Sequence, residues 1–141
     1  MVLPDVNVLV FAHREESAQH RACYGWLEQT LKADHGFALS ELVLSSVVRI
    51  ITHPRIFTPP TPLDRALAFT SGLLAADQAM LVAPGPRHWE LFAGLCRAAD
   101  ARGNLVTDAY LAALAIESGC ELITTDGDFA RFAGLKWRRP S

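Results

Sequence analysis

The opening of the chain constrains its fold most, because it places a carboxylate between two apolar runs. The first run leads directly into Asp5, Asn7 follows two positions later, and residues 8–11 form the second run. An ionised carboxylate that is buried alone loses far more hydration than it gains, so Asp5 requires a basic partner, a cap or a cation. No Lys or Arg precedes His13. A basic partner for Asp5 must therefore come from elsewhere in the fold.

The composition is that of a folded domain. Half of the 141 residues are apolar and a fifth are charged, so residues 1–141 are predicted to form one domain with its own core. No apolar run reaches the ~20 residues that span a membrane, and no signal peptide is recognisable, which predicts a soluble cytoplasmic protein. Three cysteines and five histidines are scattered along the chain, which argues against a disulfide framework or a zinc site. Any metal would therefore be held by oxygen atoms.

The charge balance leaves the substrate class open. Thirteen basic residues against fifteen acidic ones give a net charge of −2, which provides no general attraction for nucleic acid. Most of the basic residues are Arg, whose planar guanidinium matches phosphate better than the Lys ammonium does. The charge count therefore neither supports nor excludes a polyanionic substrate.

Short apolar runs alternate with helical segments, which is typical of an α/β domain with a mainly parallel sheet. Predicted strands cover residues 2–5, 37–39, 80–83, 121–125 and 135–138. Predicted helices cover residues 17–33, 41–53, 63–76, 88–101 and 107–118, and residues 7–12 begin a further helix despite some strand propensity. Residues 54–62 contain four prolines and are predicted to form an exposed loop.

Residue spacing also predicts which side of each segment is buried. The strand at 80–83 is expected to be buried, and Gly119 is expected to cap the helix at 107–118. The helix positions expected to face the core are Ala18, Ala22, Trp26 and Leu27; Leu63, Leu67, Ser71 and Leu74; and Trp89, Phe92 and Leu95.

Four acids occupy equivalent places in the predicted fold. Asp5 and Asp126 end strands, whereas Glu41 and Asp108 lie in first turns of helices. In an open parallel sheet these positions face the ligand crevice. Two carboxylates about 4 Å apart repel by roughly 4 kcal/mol, so such a cluster takes up protons or holds a cation. Oxygen ligands favour Mg²⁺ or Mn²⁺.

Each acid also has an ordinary structural interpretation. Asp108 and Glu41 could complement helix dipoles, and the segment from Asp126 to Asp128 could be a simple turn. This interpretation is weakest for Asp5, which sits in apolar surroundings too early for a surface turn. The arrival of all four at one edge of one sheet favours a site.

The ordered set of acids resembles the PIN-domain ribonucleases, and most closely the VapC-type toxins of bacterial toxin–antitoxin pairs. The segments that carry the resemblance are residues 4–9, 40–41, 107–116 and 123–129. It implies a three-layer α/β/α fold and a catalytic, metal-binding set of Asp5, Glu41, Asp108 and Asp126, with Asp128 as a further candidate and Asn7 and Thr125 as polar support. Two positions depart from the family pattern: Val6 replaces a usual Thr or Ser, and Gly127 replaces a frequent basic residue.

The resemblance implies an endoribonuclease that depends on Mg²⁺, with Mn²⁺ as a substitute, and leaves 5′-phosphate and 3′-hydroxyl ends. Its expected substrate is structured cellular RNA such as tRNA or rRNA. Its expected partners are a cognate antitoxin protein and a second copy of the chain, in a higher toxin–antitoxin assembly. The Arg residues near the site elements are expected to bind phosphates; they are Arg14, Arg49, Arg87 and Arg131. The C-terminal pair, Arg138 and Arg139, is expected to be a solvated tail.

Two other functions remain open from the sequence. An aspartate-phosphorylated receiver or phosphatase-like domain also places acids at strand ends, but the chain has Asn7 where such phosphatases need a second Asp, and no suitably placed Lys for a receiver. A degenerate PIN module could bind RNA or an antitoxin without catalysis. No phosphate-binding glycine loop and no nucleophile elbow is present.

Overall fold

A five-stranded parallel sheet forms the centre of the protein. The computed structural model describes residues 1–141, and every neighbouring pair of strands in the sheet is parallel. The elements are β1 (Val2–Pro4), α1 (Val6–His13), α2 (His20–Lys32), β2 (Phe37–Ser40), α3 (Glu41–Ile51), α4 (Leu63–Leu74), β3 (Ala79–Val82), α5 (His88–Ala99), α6 (Asn104–Ser118), β4 (Glu121–Ile123) and β5 (Trp137–Arg138), with a 3₁₀ helix (Gly127–Arg131) between β4 and β5.

The strand order is β3-β2-β1-β4-β5, with β1 in the middle. The chain moves outward from β1 through β2 to β3 and then returns to β4, on the other side of β1. In the register, Val2 pairs with Phe37 on one side and with Glu121 on the other. The direction in which successive strands are added to the sheet thus reverses between β1 and β4, and we call this point the chain reversal. In sheets of this kind, ligands bind outside the carboxyl ends of the strands at such a reversal.

The helices cover both faces of the sheet. Right-handed crossovers place α1 to α4 on one face, and the reversed crossover from β3 to β4 places α5 and α6 on the other. The packing agrees, since α1 contacts α2 and α3, α3 contacts α4, and α5 contacts α6. The predicted three-layer α/β/α fold is confirmed. None of the six helices combines the length and the apolar character needed to cross a lipid bilayer.

Helix α6 contributes more buried residues than any other helix. It buries every residue from Leu111 to Ala115. The small Ala side chains allow this helix to approach its neighbours closely. Gly119 ends the helix with a φ of 70°, so its predicted role as a cap is confirmed.

The predicted buried face of α4 is wrong by one position. The helix buries Ala66, Thr70 and Leu73, whereas Leu63 and Leu67 are 58% and 45% exposed; Ser71 and Leu74 are also exposed. The residues that face inward include the smaller Ala and Thr, which let α4 lie close to α3 and β3. The larger leucines remain outside, where they form an apolar surface.

Other exposed positions were also predicted to be buried. Helix α2 begins at His20, so Ala18 precedes it, and Ala22 faces solvent. Strand β3 pairs only with β2, and as an edge strand it leaves Met80 and Leu81 each 53% exposed. Trp89 lies in the first turn of α5 and is 69% exposed. In each case the local apolar pattern is correct, but no element covers the residue.

Candidate active site

A cleft of about 360 Å³ opens where β1 and β4 end. We call the edge of the sheet at which the strands end the carboxyl edge. The cleft lies at the chain reversal, where the fold predicts a ligand site. Three acids, one base and several uncharged polar residues line it. They are Asp5, Asp108 and Asp126; Arg49; and Asn7, Ser46, Asn104 and Thr107.

Asp5 is held at the bottom of this cleft by two hydrogen bonds. It directly follows β1 and caps α1, so its Oδ1 accepts from the backbone N–H of Val6 at 2.7 Å. Its Oδ2 accepts from the hydroxyl of Thr124 at 2.7 Å. Burial raises the pKa of Asp5 above its ordinary value, these hydrogen bonds oppose the rise, and the charge of Asp126 adds to it. A helix cap and a hydroxyl therefore compensate Asp5 in part, and no basic side chain pairs with it.

Thr124 connects two of the acids, although sequence reasoning selected its neighbour Thr125. The Thr124 side chain is fully buried, donates to Asp5 and accepts from the backbone N–H of Asp126 at 3.0 Å. The hydroxyl that supports the site thus belongs to the first residue after β4. The register, in which Pro4 pairs with Ile123, places Thr124 beside Asp5. Knowledge of that register would have identified it.

Asp108 lies among like charges. Helix α6 begins at Asn104, so Asp108 is beyond the first turn, and the helix dipole does not explain its position. Burial, and next the charges of Asp5, Asp126 and Asp128, raise the pKa of Asp108 to about 6. This carboxyl group therefore titrates just below neutral pH, and a nearby cation would favour its ionised form.

Asp126 belongs both to a turn and to the cleft. Its Oδ1 accepts from the backbone N–H of Asp128 at 2.8 Å and caps the 3₁₀ helix. It also lines the cleft with Asp5 and Asp108. Asp128 is exposed and does not line the cleft, although its charge acts on Asp108. The turn interpretation of this segment is thus correct without excluding a site.

The structure does not bring Glu41 into the cleft. Glu41 is the exposed first residue of α3, whereas the next two residues, Leu42 and Val43, line the cleft. Three of the four predicted acids therefore share one cavity, and the fourth lies outside its lining.

Among the Arg residues predicted to lie near the site, Arg49 lines the cleft and Arg14 does not. Arg14 lies at the opposite end of α1, where its side chain is engaged with Glu16, Thr61 and Pro59. Neither Arg87, which precedes α5, nor Arg131, in the 3₁₀ helix, lines the cleft.

The donor chemistry of the cleft fits a hard divalent cation. All negatively charged groups in the cleft that could coordinate a metal are carboxylates, whose oxygen atoms favour Mg²⁺ or Mn²⁺ over softer ions. The mutual repulsion among Asp5, Asp108 and Asp126 is the electrostatic condition that a cation relieves. No three acid, His or Cys side chains converge as a group that could hold one ion. Coordination by three carboxylates would therefore require side-chain movement.

The chain belongs to the PIN domain family, whose pattern matches residues 2–135. It is 43% identical over 140 residues to Ribonuclease VapC25 of Mycobacterium tuberculosis (strain H37Rv), an alignment that covers 99% of each chain. It is 42% identical to Ribonuclease VapC31 of the same species (strain CDC 1551), again with 99% of each chain covered. The predicted resemblance to VapC-type ribonucleases is thereby confirmed, and it replaces the receiver or phosphatase alternative.

Solved structures with similar folds include toxin–antitoxin complexes. The fold matches VapBC2 from Rickettsia felis, bound to a promoter DNA fragment, with a TM-score of 0.74, 17% identity and complete coverage of both chains. It matches VapC20 of Mycobacterium tuberculosis, a toxin that cleaves the sarcin–ricin loop, with a TM-score of 0.67 and 15% identity over 96% of this chain and 98% of that one. At these identities the likeness establishes the fold.

Proposed function

We propose that this protein is a metal-dependent endoribonuclease and the toxin of a type II toxin–antitoxin pair. The observation that carries the proposal is that Asp5, Asp108 and Asp126 line one cleft at the chain reversal, without a basic partner for Asp5. The near-complete alignment with VapC ribonucleases supports the same activity.

Asp5, Asp108 and Asp126 are the proposed Mg²⁺ ligands, with Mn²⁺ as a substitute. The resemblance adds Glu41 to this set, and we propose a secondary role for it because it is exposed at the start of α3. A bound divalent ion would supply a nucleophilic hydroxide and neutralise charge on the phosphate and the leaving oxygen. Attack by water rather than by the ribose 2′-hydroxyl gives the expected 5′-phosphate and 3′-hydroxyl ends.

The surrounding residues orient the acids and the RNA. Thr124 and the N-terminus of α1 fix the Asp5 carboxylate, which limits its freedom to turn away from the cleft. Arg49 is the one base in the lining and would bind a phosphate that flanks the cleaved bond. An acidic cleft repels RNA without such a contact.

The proposed substrate is a single-stranded loop of a structured RNA such as tRNA or rRNA. Sequence-specific recognition of RNA favours loops, whose bases are unstacked and accessible. The sarcin–ricin loop cleaved by the VapC20 toxin is a substrate of this kind. Cellular RNA as a substrate would place the enzyme in the cytoplasm.

The proposed partners are a cognate antitoxin and a second copy of the chain. Several proteins of the same fold were solved as VapBC complexes. The exposed apolar side chains of α4 and β3 offer a surface for such partners. Growth arrest on expression, relieved by co-expression of a neighbouring small gene, would support the toxin role; harmless expression of active enzyme would contradict it.

The activity is tested with purified protein and a structured RNA in Mg²⁺, with EDTA as the negative control. Asp5→Asn and Asp108→Asn should reduce cleavage by about 10³-fold, Glu41→Gln should reduce it less, and Asp64→Asn, at an exposed position of α4, should leave it unchanged. Undiminished cleavage by the first two variants would falsify the proposal. Absence of both cleavage and Mg²⁺ uptake in calorimetry would instead indicate a degenerate module that only binds.

A further inference from the structure

Arg139 lies at the carboxyl edge of the sheet, next to the segment that carries Asp126. It directly follows β5, and β5 pairs with β4 so that Arg138 lies opposite Ile123. The segment after β4 contains Asp126, one of the cleft acids. Arg139 and this acid thus follow neighbouring parallel strands and emerge on the same side of the fold.

The guanidinium of Arg139 packs against the segment that carries Asp126. Its Nη1 donates a hydrogen bond to the carbonyl oxygen of Thr125. Its Nη2 lies 3.2 Å from the point that a Cβ at position 127 would occupy. Gly127 therefore provides the room in which the guanidinium lies. Arg139 is exposed to solvent, as predicted, but this hydrogen bond holds its guanidinium against the protein.

The positive charge of Arg139 is uncompensated, unlike that of the adjacent Arg138. Arg138 pairs with Glu121 through its Nε at 2.9 Å. Arg139 is exposed and belongs to none of the chain's ion pairs. Its one hydrogen bond, through Nη1, leaves other N–H groups of its planar fork for an anion. The Cζ of Arg139 lies 5.9 Å from the centre of the Trp137 ring.

We propose that Arg139 binds an RNA phosphate next to the acid cleft. The inference rests on the proposed function, since it takes RNA as the ligand. A guanidinium fork matches a phosphate in a two-point contact and remains charged at every physiological pH. Held beside Asp126, it draws the phosphate backbone toward carboxylates that would otherwise repel it.

The test measures RNA binding in EDTA, where no cleavage occurs, by the fluorescence anisotropy of a labelled stem–loop RNA. Arg139→Ala should bind about tenfold more weakly. Its plot of log affinity against log salt should also be less steep, by about 0.7 for one lost phosphate contact. Arg138→Ala is the matched control and should preserve both affinity and slope, because Arg138 is paired with Glu121.

A relocated charge separates phosphate binding from a purely structural role. The double variant Gly127→Lys with Arg139→Ala should recover most of the affinity and the salt slope, because the new side chain enters the space that Arg139 vacates. Gly127→Lys alone would crowd the guanidinium and should not exceed the wild type.

Three outcomes decide the inference. A reduced slope in Arg139→Ala, restored by the double variant, supports it. Equal affinity and slope in Arg139→Ala and Arg138→Ala overturns it, and so does a loss of thermal stability with an unchanged slope. A wild-type protein that binds this RNA but fails to cleave any RNA in Mg²⁺ or Mn²⁺ would overturn the proposed function, while the binding comparison would still decide the role of Arg139.

Discussion

Helix α1 has a polar cluster at each end, and the two clusters differ in how completely their charges are compensated. At its C-terminal end, the Arg14 side chain donates to Glu16 at 2.6 Å, to Thr61 at 3.1 Å and to the carbonyl oxygen of Pro59 at 2.9 Å. Its guanidinium also lies 4.3 Å from the centre of the Phe57 ring. Each of the three guanidinium nitrogens of Arg14 thus donates a hydrogen bond, and two of these bonds connect the proline-rich loop to the helix.

At its N-terminal end, the same helix begins at an acid whose charge is only partly compensated. Asp5 receives two hydrogen bonds but lies near other carboxylates, and the pKa of Asp108 is raised first by burial and next by the charges of its acidic neighbours. Such an arrangement destabilises the fold unless a cation binds. A cluster whose charges are fully compensated thus indicates a structural role. A cluster with uncompensated charges, in a cleft at the chain reversal, indicates a functional site.

Asp108→Asn should have the largest effect, and it should act on activity and stability in opposite directions. We expect RNA cleavage to fall by about 10³-fold, because a metal ligand is lost. The metal-free protein should melt about 3 °C higher at pH 7.5, because one charge leaves a repulsive group. Cleavage assays and thermal melts in EDTA measure the two effects, with Asp64→Asn as the control. A lower melting temperature would contradict the view that the acids destabilise the fold.

Arg14→Ala should show the reverse behaviour. We expect the free energy of unfolding to fall by about 2–3 kcal/mol, because the loop loses its attachment to α1. Cleavage per folded molecule should not change, because Arg14 does not line the cleft. Urea unfolding and cleavage at a temperature where both proteins are folded measure this, with the exposed Arg55 replaced by Ala as the control. A stable but inactive Arg14→Ala would restore the expectation that Arg14 binds RNA.

The two ends of α1 also differ in how far the sequence reveals them. The acids at the N-terminal end could be predicted, because local sequence patterns indicate where strands end and which residues follow them. The surroundings of Asp5 are also too apolar for a surface turn. The Arg14 contacts could not be predicted, because Arg14 and Thr61 are 47 positions apart and meet only through the packing of the loop.

The dependence on packing also explains where the structure departs from expectation in the site and on the surface. The resemblance implied Thr125 as polar support, but the choice between Thr124 and Thr125 depends on the register of β1 and β4. Apolar spacing predicted that α4 is amphipathic, but the buried side is decided by the elements that α4 packs against. Glu41 was selected as a residue that follows a strand, and its exposure depends on the orientation of α3.

Thr124→Val should increase the difference between the two ends of α1, because it removes one of the two hydrogen bonds to the Asp5 carboxylate. The Thr124 hydroxyl lowers the pKa of Asp5, so its loss should raise that pKa further. The acidic limb of the cleavage profile should therefore move to higher pH, with cleavage reduced more at the acidic end of the profile than at pH 8. Thr124→Ser should restore the wild-type profile. A uniform loss of activity without a shift along the pH axis would show that Thr124 only supports the packing.

The smallest effect concerns the stability that Mg²⁺ adds at different pH values. Because the pKa of Asp108 is raised to about 6 in the folded protein, folding favours its protonated form, and stability is lost as pH rises from about 4 to 6. Mg²⁺ should recover this stability only where the carboxyl group is ionised. We expect 10 mM Mg²⁺ to raise the melting temperature by about 3 °C at pH 7.5 and by less than about 1 °C at pH 5.

Asp108→Asn should remove most of this pH dependence, whereas Arg14→Ala should lower the melting temperature at both pH values and keep the difference between them. If Mg²⁺ stabilises the wild type equally at pH 5 and pH 7.5, the ion does not bind at the titrating carboxyl group. The distinction between the two ends of α1 would then lose its electrostatic basis, because the acid end would be no more responsive to a cation than the rest of the surface.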